Sequence, residues 1–140
     1  MLQTLETWAH RVWRDRDETA IDAMLEIDTQ AHGLGSQTLV GPDGFKAFHA
    51  SLCGLLMDTE LVIDHAIEAD GWLAALCTFK GTTRVGKPIA ITGAIHARIA
   101  NGKLLEAYNH FDFVGLFTQL GLLPEDTLQR CLSGRPACHD

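Results

Sequence analysis

The hydrophobic period of this chain shifts in its middle, from helical spacing before residue 56 to strict alternation after residue 60. That change limits the fold more than any other feature. In the first part Leu5, Trp8, Ala9, Val12 and Trp13 recur at i, i+3, i+4, i+7 and i+8, one stripe of a helix that must be buried. The charged break Arg14-Asp15-Arg16-Asp17 leads into a second short helix, with Asp17 as its N-cap and Ile21, Met24 and Leu25 facing inward. Gly41-Pro42-Asp43-Gly44 is turn chemistry ahead of a third helix carrying Phe45, Phe48, Leu52, Leu55 and Leu56. Between them, Asp28 to Gly41 has no periodicity and contains Gly33 and Gly35, so it reads as a loop or short extended piece, with His32 in it.

From Leu61 onward apolar and polar residues alternate. Asp70-Gly71, Gly86-Lys87-Pro88 and Asn101-Gly102 are turns that separate four runs, Leu61 to Glu68, Trp72 to Thr83, Ile89 to Ala100 and Lys103 to Phe111. Helical spacing returns over Val114 to Leu123. Three helices, a four-stranded antiparallel meander and one or two short C-terminal helices make an α+β plan, a curved sheet with helices on one face. Such a sheet can wrap the helices into a conical barrel around a hollow apolar centre. There is no βαβ alternation, no Gly-rich phosphate loop and no internal repeat, which excludes a Rossmann fold.

The chain has 140 residues, the size of one domain, expected over 1–132 with a flexible tail at 133–140. Eleven Lys and Arg against eighteen Asp and Glu give a net charge of -7, and no face concentrates the cations, so nucleic acid is not an expected partner. Glu6 and His10 interrupt what would have to be a signal peptide's apolar stretch, and no apolar run reaches membrane-spanning length. Cys53, Cys77, Cys131 and Cys138 are scattered, without a Cys-x-x-Cys pair. Cys131, Cys138 and His139 could be drawn as metal ligands, but the segment Ser133-Gly134-Arg135-Pro136-Ala137 reads as mobile loop, so no metal site is expected. A reduced, cytoplasmic protein without membrane contact is the expectation.

The order of elements and the segment Asn101-Gly102-Lys103-Leu104-Leu105-Glu106-Ala107-Tyr108-Asn109-His110-Phe111-Asp112-Phe113-Val114-Gly115-Leu116-Phe117-Thr118-Gln119-Leu120-Gly121 resemble the SnoaL-like polyketide cyclases of the nuclear transport factor two superfamily. Val12-Trp13, Ala31-His32 and Gly41-Pro42-Asp43-Gly44-Phe45 add to the likeness. The resemblance implies a conical α+β barrel whose pocket takes a hydrophobic small-molecule substrate, without a metal or organic cofactor. It also implies a homodimer through the outer sheet face, where the alternation leaves Leu105, Ala107 and Phe111 uncovered. In the cyclases an Asp matching Asp112 is the general acid/base of an intramolecular aldol closure. Because fold is shared far more widely than chemistry, the reaction stays open.

The residues themselves supply candidates. On an unbroken strand Leu104, Tyr108, His110 and Asp112 share a face, and an Asp at the edge of an apolar lining has its charged form disfavoured, which suits it to proton transfer. The competing role for Asp112 is N-cap of the helix beginning near Val114. His32 matches a family position at the pocket mouth, and His110 nominally faces as Asp112 does. Pairing across a two-residue Asn101-Gly102 turn puts His96 opposite Ala107, on the other face, unless a bulge reverses it. Family position places Trp13, Phe48 and Tyr108 at the pocket. His10, His49 and His65 read as partly exposed polar positions. Limonene-epoxide-hydrolase relatives carry an Arg-x-Asp on an earlier strand, whereas this chain has Leu73-Ala74-Ala75-Leu76-Cys77-Thr78-Phe79, which disfavours epoxide opening. Two readings remain: a cyclase or isomerase moving a proton on a hydrophobic carbonyl compound, with Asp112 as acid/base and histidines 32 and 96 as partners, or a non-catalytic ligand-binding or dimerisation module.

Overall fold

A computed structural model of the chain describes residues 1–137. Helix α1 (Leu2–Trp8) runs directly into a π-helical turn (Ala9–Arg14), and α2 (Glu18–Met24) follows. Asp17 caps α2, its carboxylate accepting from the Thr19 amide at 3.0 Å. Helix α3 (Gly41–Gly54) has Pro42 in its first turn, where a missing N–H costs nothing. The strands are β1 (Leu25–His32), β2 (Leu39–Val40), β3 (Leu56–Ala69), β4 (Trp72–Thr83), β5 (Pro88–Ala100) and β6 (Lys103–Phe111). Two short helices, α4 (Phe113–Gln119) and α5 (Thr127–Leu132), close the described chain. No helix among the described residues is long and apolar enough to cross a membrane.

The strands form one sheet in the order β2-β1-β6-β5-β4-β3. It is curved and unclosed, and its pairs are antiparallel except β1 with β6. The hairpins at Asp70-Gly71 and Asn101-Gly102 have both turn residues at positive φ (54° and 82°, 54° and 73°), the mirror-image turn whose twist matches paired strands. Helices and sheet share one core in which Leu5, Val12, Ile21, Leu56, Leu73 and Leu116 are fully buried.

The segment read as a loop or short extended piece is the first point the structure refines. Residues 28–32 belong to β1, paired in parallel with β6 from Gln30↔Glu106 to His32↔Tyr108, and 39–40 form β2, with loop between them. The alternation of β1 is hidden in the sequence because the inward position 29 is a threonine and the apolar Ile27 faces water at 86% exposure. Thr29 tolerates burial because its hydroxyl donates to the Leu104 carbonyl at 2.9 Å and accepts from the Glu26 amide at 2.8 Å.

His49 is the second point, and a correction. It is buried at 3% exposure, not a surface residue, and its function lies in the π turn. A wide turn ending at a charged break leaves carbonyls without helical donors. His49 Nε2 donates to the Val12 carbonyl at 2.7 Å, and the Thr59 hydroxyl on β3 donates to the Trp13 carbonyl at 2.6 Å. These bonds fix the direction in which Trp13 leaves the backbone.

A bulge is the third. Ile99 pairs with Leu104, but Arg98 pairs with Glu106, so Leu105 is an extra residue and every later side chain of β6 changes face. Leu104, Ala107 and Asn109 are buried under the helices, while Tyr108 and His110 are exposed on the outer surface. Ala107 and Phe111 therefore belong to the inner side and cannot cover a dimer interface; Phe111 packs against the core.

Candidate ligand cavity

A cavity of about 60 Å³ lies between the inner sheet face and the helices. Trp13 enters from the π turn, Phe48 from α3, Phe79 from β4, and Ala107, Asn109 and Phe111 from β6. The aromatic rings meet edge to face, Trp13 with Phe79 at 5.3 Å and 81°, Trp13 with Phe48 at 6.5 Å and 86°, and Phe48 with Phe113 at 6.4 Å and 88°. Such pairs favour a fixed lining over an adaptable one. Leu34, Leu39, Phe48, Phe111 and Phe113 line the cavity and are only partly buried. Its rim thus lies where the 33–38 loop, α3 and the β6–α4 junction meet.

No titratable side chain is among the described lining residues. Apart from the indole N–H groups of Trp8 and Trp13, the polar ones are Thr29, whose hydroxyl is already bonded on both sides, and Asn109. Asn109, 9% exposed, donates from Nδ2 to the His32 carbonyl at 3.0 Å. The same carbonyl stands at the end of β1, just before Gly33 turns the chain away at φ +87°.

The candidates from sequence divide cleanly. Trp13 and Phe48 line the cavity. Asp112 lies between two lining residues, Phe111 and Phe113, yet its own side chain is exposed and caps α4, Oδ1 accepting from the Gly115 amide at 2.8 Å. The four remaining candidates, His32, His96, Tyr108 and His110, are not at the cavity. The Leu105 bulge turns Tyr108 and His110 outward and sets His96 opposite Tyr108. His32 pairs beside Tyr108 from β1, and their rings stack at 4.5 Å and 13°. Trp72 extends the outer row, 4.8 Å from His96 and 6.3 Å from Tyr108. The Tyr108 hydroxyl donates to Glu106 at 2.9 Å, and that bond, with the Glu106 charge, holds the phenol above its ordinary value. Tyr108 is thus occupied at the surface and does not orient a ligand in the cavity.

Sequence reasoning missed Asn109. The signal would have been the register: only with the bulge placed does position 109 turn inward. Cys53 and Cys77 are buried, and burial pushes both thiols up, Cys77 to about 11, so neither is a nucleophile near neutral pH. Of the conceivable ligand trio Cys131, Cys138 and His139, the last two lie outside the described residues.

A search of curated proteins finds no match. Among solved structures, TsrD from Streptomyces laurentii is 19% identical, the alignment covering 87% of this chain and 95% of that one at a TM-score of 0.72. An NTF2-like protein from Burkholderia pseudomallei is 23% identical over 85% of this chain and 95% of that one, TM-score 0.70. TerC, crystallised with polyporic acid, is 21% identical over 86% and 97%, TM-score 0.72. At these identities the likeness is one of fold: an α+β sheet curved around N-terminal helices. The sequence pattern described as SnoaL-like polyketide cyclase matches residues 3–120, and the chain accordingly belongs to that family.

Proposed function

We propose that this chain is a small-molecule enzyme of the cyclase or isomerase type, which encloses a hydrophobic carbonyl compound in the cavity and moves a proton on it with the Asp112 carboxyl at the rim. The observation that carries the reading is an apolar, aromatic-lined cavity whose rim residues Phe111 and Phe113 flank that carboxyl. Enclosure and orientation supply much of what an intramolecular closure needs, and a single positioned carboxyl can supply the proton transfer. TerC's crystallisation with polyporic acid supports an oxygenated apolar ligand here too. The test is deuterium uptake from D2O at the α-carbon of 2-tetralone, followed by proton NMR. Asn caps helices as Asp does, so Asp112→Asn should keep the fold and lose about a hundredfold or more of any acceleration. Acceleration that survives the change removes Asp112 from the reaction.

A second reading, a non-catalytic binder of apolar ligands, is favoured by one specific observation: Asp112 is engaged as a helix cap and no titratable group lines the cavity. Binding of 2-tetralone with no acceleration over buffer would decide for it.

We also propose that two copies pair through the outer sheet face, where Ile67 and Leu76 are 63% and 59% exposed beside Tyr108 and His96. Light scattering should give a particle of twice the chain mass, and Leu76→Lys should halve it.

A further inference from the structure

Among the described lining residues Asn109 offers the one side-chain oxygen acceptor not already bonded, beside the indole N–H donors of Trp8 and Trp13, and its orientation is determined. The His32 carbonyl can only accept, so the amide nitrogen of Asn109 must face it. The carboxamide oxygen Oδ1 is thereby directed away, and no group among the described residues donates to it. It is not among the buried atoms left without a partner, so it retains some exposure, and its residue lines the cavity. Since Thr29 is already bonded on both sides, Oδ1 is the one side-chain oxygen acceptor the described lining keeps free. An oxygen that can only accept has no way to satisfy it, whereas the donors beside it are the second Asn109 amide hydrogen and the Trp8 and Trp13 indoles.

We propose that Asn109 orients the ligand by accepting a hydrogen bond at Oδ1, so that the cavity selects apolar molecules carrying a phenolic or enolic hydroxyl over those whose oxygen can only accept. This rests on the cavity being the ligand site and specifies the class of ligand it takes. The selection is physical: a hydroxyl brought into a dry pocket loses its water and must regain a partner, whereas an ether pays less for entry and gains more from its extra methyl. A carbonyl compound acquires such a hydroxyl on enolisation, so the same contact would favour the enol over the keto form inside the cavity.

The experiment compares 4-ethylphenol with 4-ethylanisole, which differ by a methyl on oxygen, titrated into ¹⁵N-labelled protein. The reporters are the indole N–H signals of Trp8 and Trp13 and the side-chain amide of Asn109. With Oδ1 as acceptor the hydrogen bond favours the phenol by about threefold to tenfold against about fourfold for the ether's additional methyl, so the phenol binds between near parity with the ether and about threefold more tightly. In Asn109→Leu the ether binds about fourfold tighter, as burial of one additional methyl dictates. Binding of the ether to the unaltered protein about fourfold tighter than the phenol, the methyl's contribution alone, overturns the proposal, and that comparison stands even if Asn109→Leu does not fold. A phenol-to-ether ratio that Asn109→Leu leaves unchanged also overturns it but leaves the cavity as ligand site. If neither compound moves the tryptophan or Asn109 signals, the cavity is not the ligand site and the enzyme and binder readings fall with the proposal.

Discussion

The ring of His49 donates from Nε2 to the backbone oxygen of Val12 at 2.7 Å, joining α3 to the π turn across the core. A side chain that completes another segment's backbone bonding is costly to remove, because the abandoned carbonyl stays buried. His49→Leu should therefore cost about 1 to 3 kcal/mol in urea unfolding. Thr59→Val, which removes the donor to the Trp13 carbonyl at nearly constant volume, should cost a similar amount, and Thr59→Ser should restore most of it. A Thr59→Val protein as stable as the original would show that the π turn holds itself.

Asp112 makes a stability prediction separate from chemistry. Its carboxylate holds the Gly115 amide, so Asp112→Ala should lower stability by about 1 kcal/mol while Asp112→Asn lowers it by a few tenths. Equal losses in both variants, measured by thermal unfolding, would mean that the cap contributes nothing and the charge everything.

Cys77 predicts a weakness at alkaline pH. Burial, reinforced by the charge of Asp64, raises its thiol from the ordinary 9.0 to about 11. The unfolded chain therefore releases this proton first, so the contribution is fully present below pH 9 and is lost as pH rises towards 11. Its size is about 2 to 3 kcal/mol. Cys77→Ala should be less stable than the unaltered chain at pH 8 and should lose less on going to pH 10.5. Parallel stability curves for the two proteins would contradict the burial argument.

Gly33 is required by both conformation and space. It sits at φ +87°, and a Cβ there would lie 1.8 Å from the Asn109 carbonyl oxygen. Gly33→Ala should cost at least about 2 kcal/mol, visible as a lower melting temperature, and should weaken ligand binding by displacing the backbone of Asn109. A melting temperature unchanged by the substitution would mean that β1 and β6 are not in the close contact described.

What the sequence disclosed follows from how directly each residue's position depends on local pattern. Helical spacing alone puts Trp13 and Phe48 on buried stripes, while their place at a pocket is legible only through the family resemblance. The hairpin turns were found because Asp-Gly and Asn-Gly favour positive φ at both positions. Strand β1 was not, since Thr29 is buried through its hydrogen bonds and Ile27 lies outside. His49 was misplaced for a similar reason: its burial depends on a carbonyl 37 residues away in sequence. The faces of β6 were misassigned by one residue, and with them Tyr108, His110 and Asn109.

That one residue, Leu105, has a consequence for what this strand can be. Its sequence carries two interleaved inventories, a protic one in Glu106, Tyr108 and His110 and a quiet one in Ala107, Asn109 and Phe111. A ladder running flat from the Asn101-Gly102 turn would show the ligand the first; the bulge shows it the second. The bulge thus acts like a reading frame. It decides whether the strand supplies an interior rich in exchangeable protons or one with a single neutral amide, with no change of amino-acid composition at all.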